Sequence, residues 1–208
     1  MRQMGQYDFS VGSYADVGCG DGYVTSQVMR ATRAKGCNAL DSDAALLQVG
    51  ARVLPDIHFV QFNLNNEAPD GARYDFVTCF ETLEHVINLP VAVKNLLRLT
   101  KPGGTLLLTV PIEVGSIGIA KFTAKTLLWG DRLTEAFAPR PKLHRQYLRA
   151  LILGRGIHDF RKPGNALGYW PGHWGFDYRT LDTILAEHGA EFRSFRFLTT
   201  RFYDVRPK

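Results

Sequence analysis

YADVGCGDG, from Tyr14 to Gly22, sets a short apolar run and one acid directly before three glycines and a second acid. The run predicts a strand that ends in a tight turn into a helix. Glycine adopts positive φ and has no Cβ, so a glycine turn lets the backbone lie against a bound molecule. In an open α/β sheet such a turn sits at the carboxyl ends of the strands, where ligands bind. The spacing narrows the ligand. A dinucleotide turn reads G-x-G-x-x-G and aims a helix N-terminus at a pyrophosphate. Here Gly18, Gly20 and Gly22 read G-x-G-x-G, and Asp21 lies inside the turn, where it would repel a pyrophosphate. Asp16, closing the strand, suits a cofactor that carries an ammonium group.

Outward from the turn, strand and helix signals alternate. YVTSQVMRATRAKG reads as a helix closed by Lys35 and Gly36; CNAL is a strand; DAALLQVGARVL is a helix begun by Asp43 and stopped before Pro55. IHFVQF and YDFVTCF are strands, LPVAVKNLLRLTKPGG is a helix, and TLLLTV is a continuous apolar strand. Apolar strands alternating with helices predict an α/β fold: a doubly wound, mostly parallel, Rossmann-like sheet. After Pro111 the rhythm breaks into basic, aromatic and helical stretches. It resumes with the helix YRTLDTILAEHGA and the strands EFRSFRFL and RFYDV. The sheet is expected to have seven strands; the sequence leaves open whether residues 201–208 complete its last antiparallel edge or leave it short or missing. The whole of 1–208 is expected to be a single domain, with 112–178 as a helical and aromatic insertion after strand five.

The chain has 208 residues, enough for one sizeable core, and its 45% apolar and 22% charged content is that of a globular protein. The formal charge of +5 is concentrated: Lys121 to Lys162 holds ten Lys or Arg against three Asp or Glu. Cys19, Cys37 and Cys79 form no C-x-x-C pair and read as reduced thiols of a cytoplasmic protein. MRQMGQYDFS lacks the apolar core of a signal peptide, and no run is long enough to span a bilayer.

In that setting the sequence resembles the class I S-adenosylmethionine-dependent methyltransferases. DVGCGDG is similar to their first motif, ALDSD to their second, and YDFVTCFETLEHV and LLRLTKPGGTLLLTVP to later ones, over roughly residues 14–111. The resemblance implies S-adenosylmethionine as cofactor. Gly18, Cys19 and Gly20 would pass along its methionine and ribose, Asp16 would stand near its amino group, and the Phe80 carbonyl would face the ammonium. Asp41, followed by Ser42, would accept both ribose hydroxyls, since a carboxylate has two acceptor oxygens and a cis-diol two donors. Asn63 stands where the family often has Asp, before Leu64, and would accept from the adenine amino group through its carbonyl.

For the reaction, His85 is the first candidate base, because neutral imidazole is available near pH 7. His173 is the second. The segment ETLEH is similar to the E-x-x-E-H of ubiquinone-biosynthesis O-methyltransferases, where it is associated with a divalent metal; Glu81, Glu84 and His85 would be the ligands. That likeness favours oxygen as the methylated atom. The structural alternative is that these residues shape a loop and start the next helix.

The acceptor is expected to be a small molecule held by 112–178. In GYWPGHWGFDY the aromatics Tyr169, Trp170, Trp174, Phe176 and Tyr178 fit either a planar acceptor or packing under a lid. Cations among Leu and Ile in 142–162 fit peripheral contact with an anionic membrane, an anionic substrate, or a helix with its charges in water. Nothing in the sequence reads nucleic acid, and nothing fixes an oligomeric state. Two readings compete with the methyltransferase: a non-catalytic module that keeps the cofactor pocket, and a nicotinamide-dependent oxidoreductase.

Overall fold

The computed structural model describes residues 12–66, 71, 73–129, 141–160, 173 and 175–208, with no side chains described for 129 and 141–144. Tyr169, Trp170 and Trp174 lie outside the described residues.

Strands β1 (Tyr14–Val17), β2 (Cys37–Asp41), β3 (His58–Gln61), β4 (Tyr74–Phe80) and β5 (Thr100–Pro111) run parallel. Helices α1 (Tyr23–Thr32), α2 (Ala44–Val53) and α3 (Leu89–Leu99) connect them. The sheet order is β3-β2-β1-β4-β5-β7-β6, so the switch point lies beside β1. The last two strands, β6 (Glu191–Phe197) and β7 (Thr200–Arg206), have seven residues each and pair antiparallel. They complete the expected seven-stranded sheet with a full antiparallel edge, β7 being inserted between β5 and β6. Its Tyr203 and Val205 are buried, which anchors the hairpin.

Strand alternation decides which side chain meets which layer. On β1, Ala15 and Val17 join Val77, Cys79, Leu106 and Leu108 in a core under α3 and under α6 (Tyr178–Glu187). Tyr14 faces the opposite layer with Val28, Ala39, Leu47 and Phe76, under α1 and α2. Two helix ends differ from the sequence reading. Helix α1 stops at Thr32, with Arg33 rather than Gly36 in the left-handed region (φ 52°). Strand β5 begins at Thr100, so Lys-Pro-Gly-Gly belongs to the strand and not to a helix end. The start of α2 is as read: the Asp43 carboxylate accepts from the N–H groups of Ala45 and Leu46.

After β5 come α4 (Gly115–Trp129) and α5 (Pro141–Leu153). They share a separate apolar cluster of Val114, Phe122, Tyr147, Ala150, Leu151 and Ile157. On α5 the described cations Arg145 and Arg149 are exposed while Tyr147, Ala150 and Leu151 are buried, the arrangement of a helix packed by one face. Among the described residues no helix is long and apolar enough to cross a membrane.

Candidate active site

Gly18, Asp41, Ser42, Asn63, Leu64 and His85 line one cleft at the carboxyl ends of the parallel strands. Asp41 is central to it. Its Oδ2 accepts the Gly20 N–H at 2.8 Å and its Oδ1 the Asp43 N–H at 2.9 Å. Each oxygen retains a second acceptor position, which is what a cis-diol requires. The glycines of the turn differ in purpose. At Gly18 (φ 80°) a Cβ would strike the Thr82 side chain at 2.2 Å, so the bare backbone there accommodates the protein itself. At Gly20 (φ 57°) a Cβ would approach only Leu46, at 4.0 Å, leaving space beside the turn. Asp21 takes the first-turn donor of α1, accepting from the Tyr23 N–H at 3.0 Å.

The loop after β3 is built from asparagines. Asn63 Oδ1 accepts from both the N–H (2.9 Å) and the side-chain amide (3.0 Å) of Asn65. Those two bonds use both acceptor positions of that carbonyl, so receiving an adenine amino group would mean exchanging one of them. Asn65 Oδ1 in turn accepts from Ile87 and Asn88, and the buried Asn95 donates to the carbonyls of Leu64 and Asn66. This network ties the loop after β3 to the start of α3.

Four expected cofactor residues, Asp16, Cys19, Gly20 and Phe80, do not line the cleft wall. Asp16 is 3% exposed, and its two oxygens accept from Thr25 and Thr78, each at 2.6 Å. It faces α1 because it lies two residues from Tyr14 on β1, and Thr78 is its register partner on β4. Burial pushes its carboxyl above the usual range, against the lowering effect of the two threonines. Tyr14 shares the network through Thr78 at 2.7 Å. Cys19 is buried, and its thiol donates to the Gly20 carbonyl at 3.6 Å; burial, then Asp16 and Asp41, push that thiol up. The Phe80 carbonyl accepts the Thr82 hydroxyl at 2.9 Å and keeps a second acceptor position.

A second group of side chains lies beside the cleft. Leu83–His85 is a single 3-10 turn that buries Glu84 completely and leaves the His85 side chain 34% exposed. His85 and His173 meet edge to face, ring centroids 5.1 Å apart. The Nε2 atoms of both rings stand 3.9 Å from Glu84 Oε1. His173 Nδ1 lies 3.3 Å from Glu113 Oε1, which also accepts from Lys121 Nζ at 2.6 Å. Burial pushes the Glu113 carboxyl up, but the bonds from His173 and Lys121 outweigh it and hold the group below the ordinary range. Glu113 and Lys121 escaped the sequence reading. The available signal was an acid two residues beyond the apolar strand TLLLTVP, at the ligand-binding end of the sheet. Glu81 does not join the group: it is exposed, sits at φ 47°, and its N–H is held by Thr109. The three ligands implied by E-x-x-E-H therefore do not assemble as a set.

Comparison with known proteins assigns this architecture. Residues 1–159 match a family described as a methyltransferase domain. The chain belongs to the class I S-adenosylmethionine-dependent methyltransferases. That assignment displaces the nicotinamide oxidoreductase reading. Among curated relatives, this methyltransferase is 36% identical over 94 residues to a ubiquinone biosynthesis O-methyltransferase of Alkalilimnicola ehrlichii, covering 43% of this chain and 37% of that one. It is 28% identical over 130 residues to a trans-aconitate 2-methyltransferase of an Acidovorax species, covering 62% of this chain and 50% of that one. The chain thus spans half or less of these two relatives. A solved O-methyltransferase family protein from Burkholderia thailandensis superposes with a TM-score of 0.61 at 14% identity, over 96% of this chain and 52% of that one. At that identity the likeness is one of fold.

Proposed function

We propose that this methyltransferase transfers the methyl group of S-adenosylmethionine to an oxygen of a small-molecule acceptor. The observation that carries the reading is the position of His85. The ring lines the cofactor cleft with Gly18 and Asp41 and also meets His173 at 5.1 Å, so an imidazole pair borders the place where donor and acceptor would meet. In the cleft, Asp41 would hold the ribose, Gly18 the methionine, and the loop of Asn63 and Leu64 the adenine; Gly20 and the Phe80 carbonyl, behind the cleft wall, would reach the methionine and its ammonium. The buried charge of Asp16 would act from beneath the turn. The sulfonium is already a good leaving group, so the protein's part is alignment of nucleophile, methyl and sulfur. An imidazole that accepts the proton of a hydroxyl makes oxygen the better nucleophile. The similarity to an O-methyltransferase supports oxygen as the methylated atom.

Residues 112–178 would form the acceptor side, an insertion of the single domain. Lys121 and the exposed arginines of α5 support an anionic acceptor; the exposed Leu127, Leu128, Ile152 and Leu153 at the ends of α4 and α5 are what peripheral membrane contact would use. The free, buried cysteines fit the reducing cytoplasm.

The test is a screen of metabolite extracts with S-adenosylmethionine carrying a 13C methyl group. The methyl resonance of the product distinguishes attachment to oxygen from attachment to nitrogen or carbon. His85→Ala is expected to lower turnover of the identified acceptor about 10²-fold while leaving S-adenosylhomocysteine affinity unchanged. A product methylated on nitrogen or carbon, or a full-rate His85→Ala enzyme, would overturn the reading.

A further inference from the structure

The cluster beside the cleft has a geometry that proton transfer does not require. One ring nitrogen each of His85 and His173 and a Glu84 carboxylate oxygen come from two distant parts of the chain, yet all three atoms lie within 4.8 Å of one another. Both imidazole contacts to Glu84 are 3.9 Å long, beyond hydrogen-bond length. Two nitrogens and an oxygen bound at about 2.0–2.2 Å to one tetrahedral ion would stand roughly 3.4 Å apart. The two 3.9 Å spacings need to close by about 0.5 Å around an ion, and the remaining one by at most about 1.4 Å.

The surroundings favour the same conclusion. Glu113 lies 3.3 Å from Nδ1 of His173, where its carboxylate would accept an Nδ1–H and leave Nε2 to an ion. That nitrogen faces the buried Glu84 carboxylate at 3.9 Å. Metal-binding histidines commonly donate their other N–H to a carboxylate in this way. Lys121 occupies the same Glu113 oxygen and keeps that carboxylate in place.

We propose that Glu84, His85 and His173 form a binding site for a divalent first-row transition-metal ion, with Glu113 as the positioning residue that orients His173. Two imidazoles and one carboxylate suit zinc, cobalt, iron or nickel better than magnesium, which prefers an all-oxygen shell. Three protein ligands leave a coordination position open. Since His85 also lines the cofactor cleft, that position is available to an acceptor oxygen, whose proton the ion would make more acidic. The ligand set differs from the contiguous Glu81, Glu84 and His85: a histidine 88 positions beyond His85 replaces Glu81. The role at the acceptor oxygen rests on the O-methylation reading; the site itself does not.

The probe is cobalt(II), added to chelator-stripped full-length protein and followed by its visible d–d absorption, with S-adenosylhomocysteine affinity as a fold control. One equivalent of cobalt is expected to bind, and excess magnesium is expected not to displace it. His85→Ala and His173→Ala should each weaken cobalt binding at least about 10²-fold, and Glu113→Gln about 10-fold or more, with S-adenosylhomocysteine affinity retained in His173→Ala and Glu113→Gln. Glu81→Gln should bind cobalt as the wild type does. No cobalt absorption from protein that binds S-adenosylhomocysteine would overturn the proposal. So would cobalt binding that is lost in Glu81→Gln and kept in His173→Ala. Cobalt bound by the named residues together with an N-methylated product would uphold the site and reject the O-methylation reading alone.

Discussion

Asp16 and Asp41 close adjacent strands with the same side chain and meet opposite environments. Asp41 keeps acceptor capacity facing the cleft, whereas Asp16 spends both oxygens on Thr25 and Thr78. The Asp16 network joins β1, β4 and α1 directly beneath the glycine turn. Asparagine at this position would place an amide NH2 against a threonine hydroxyl, so Asp16→Asn is expected to destabilise by about 1–3 kcal/mol. The pH dependence has a definite sign. Burial raises the folded carboxyl, so the folded state keeps the proton that the unfolded chain releases near pH 4. Ionising Asp16 therefore costs stability as pH rises through its folded value, and asparagine does not titrate. Urea unfolding should show the gap between wild type and Asp16→Asn widest in acid and narrower at neutral pH. A gap that grows from acid to neutral pH would contradict this account. The role of Asp16 was not legible in the sequence, because the partner Thr78 is 62 residues away and only strand register makes them neighbours.

At the scale of elements, the cleft depends on how α2 and the loop after β3 press against the glycine turn. Gly50, inside α2, is an example. A Cβ there would reach the Asp21 carbonyl and the Phe59 ring, each at 2.5 Å. Helix propensity alone favours alanine over glycine by about 1 kcal/mol. Contact with backbone should reverse that sign, so Gly50→Ala is expected to lower both the thermal midpoint and S-adenosylhomocysteine affinity. A stabilised Gly50→Ala protein with intact binding would show that the turn can move away. The order of strands and helices was legible in their apolar runs and glycine stops, and the Asp43 cap of α2 was readable from residue type. The start of β5 was not, because Lys-Pro-Gly-Gly carries helix-ending chemistry whichever element holds it. The 3-10 turn of Leu83–His85 was equally hidden, and with it the burial of Glu84, since its spacing reads as well for a loop.

The whole molecule is one twisted sheet with its ligand end at the switch beside β1 and a second small core built after β5. Class and cofactor were readable because their motifs are local and ordered along the chain. The cluster proposed for the acceptor side was not, because Glu84, His85, Glu113 and His173 are brought together only by the closed fold. The central claim is that Asp41 grips the ribose of S-adenosylmethionine at the switch point. Simple loss of Asp41 also frees the Gly20 N–H, so turn geometry and ribose binding have to be separated. Calorimetric titration of wild type and Asp41→Ala with S-adenosylhomocysteine and its 2′-deoxy analogue does so. The wild type is expected to bind the deoxy compound about 1–3 kcal/mol more weakly than the parent, while Asp41→Ala binds the two alike. An equal loss for the deoxy analogue in both proteins would mean that the ribose is held by something other than Asp41.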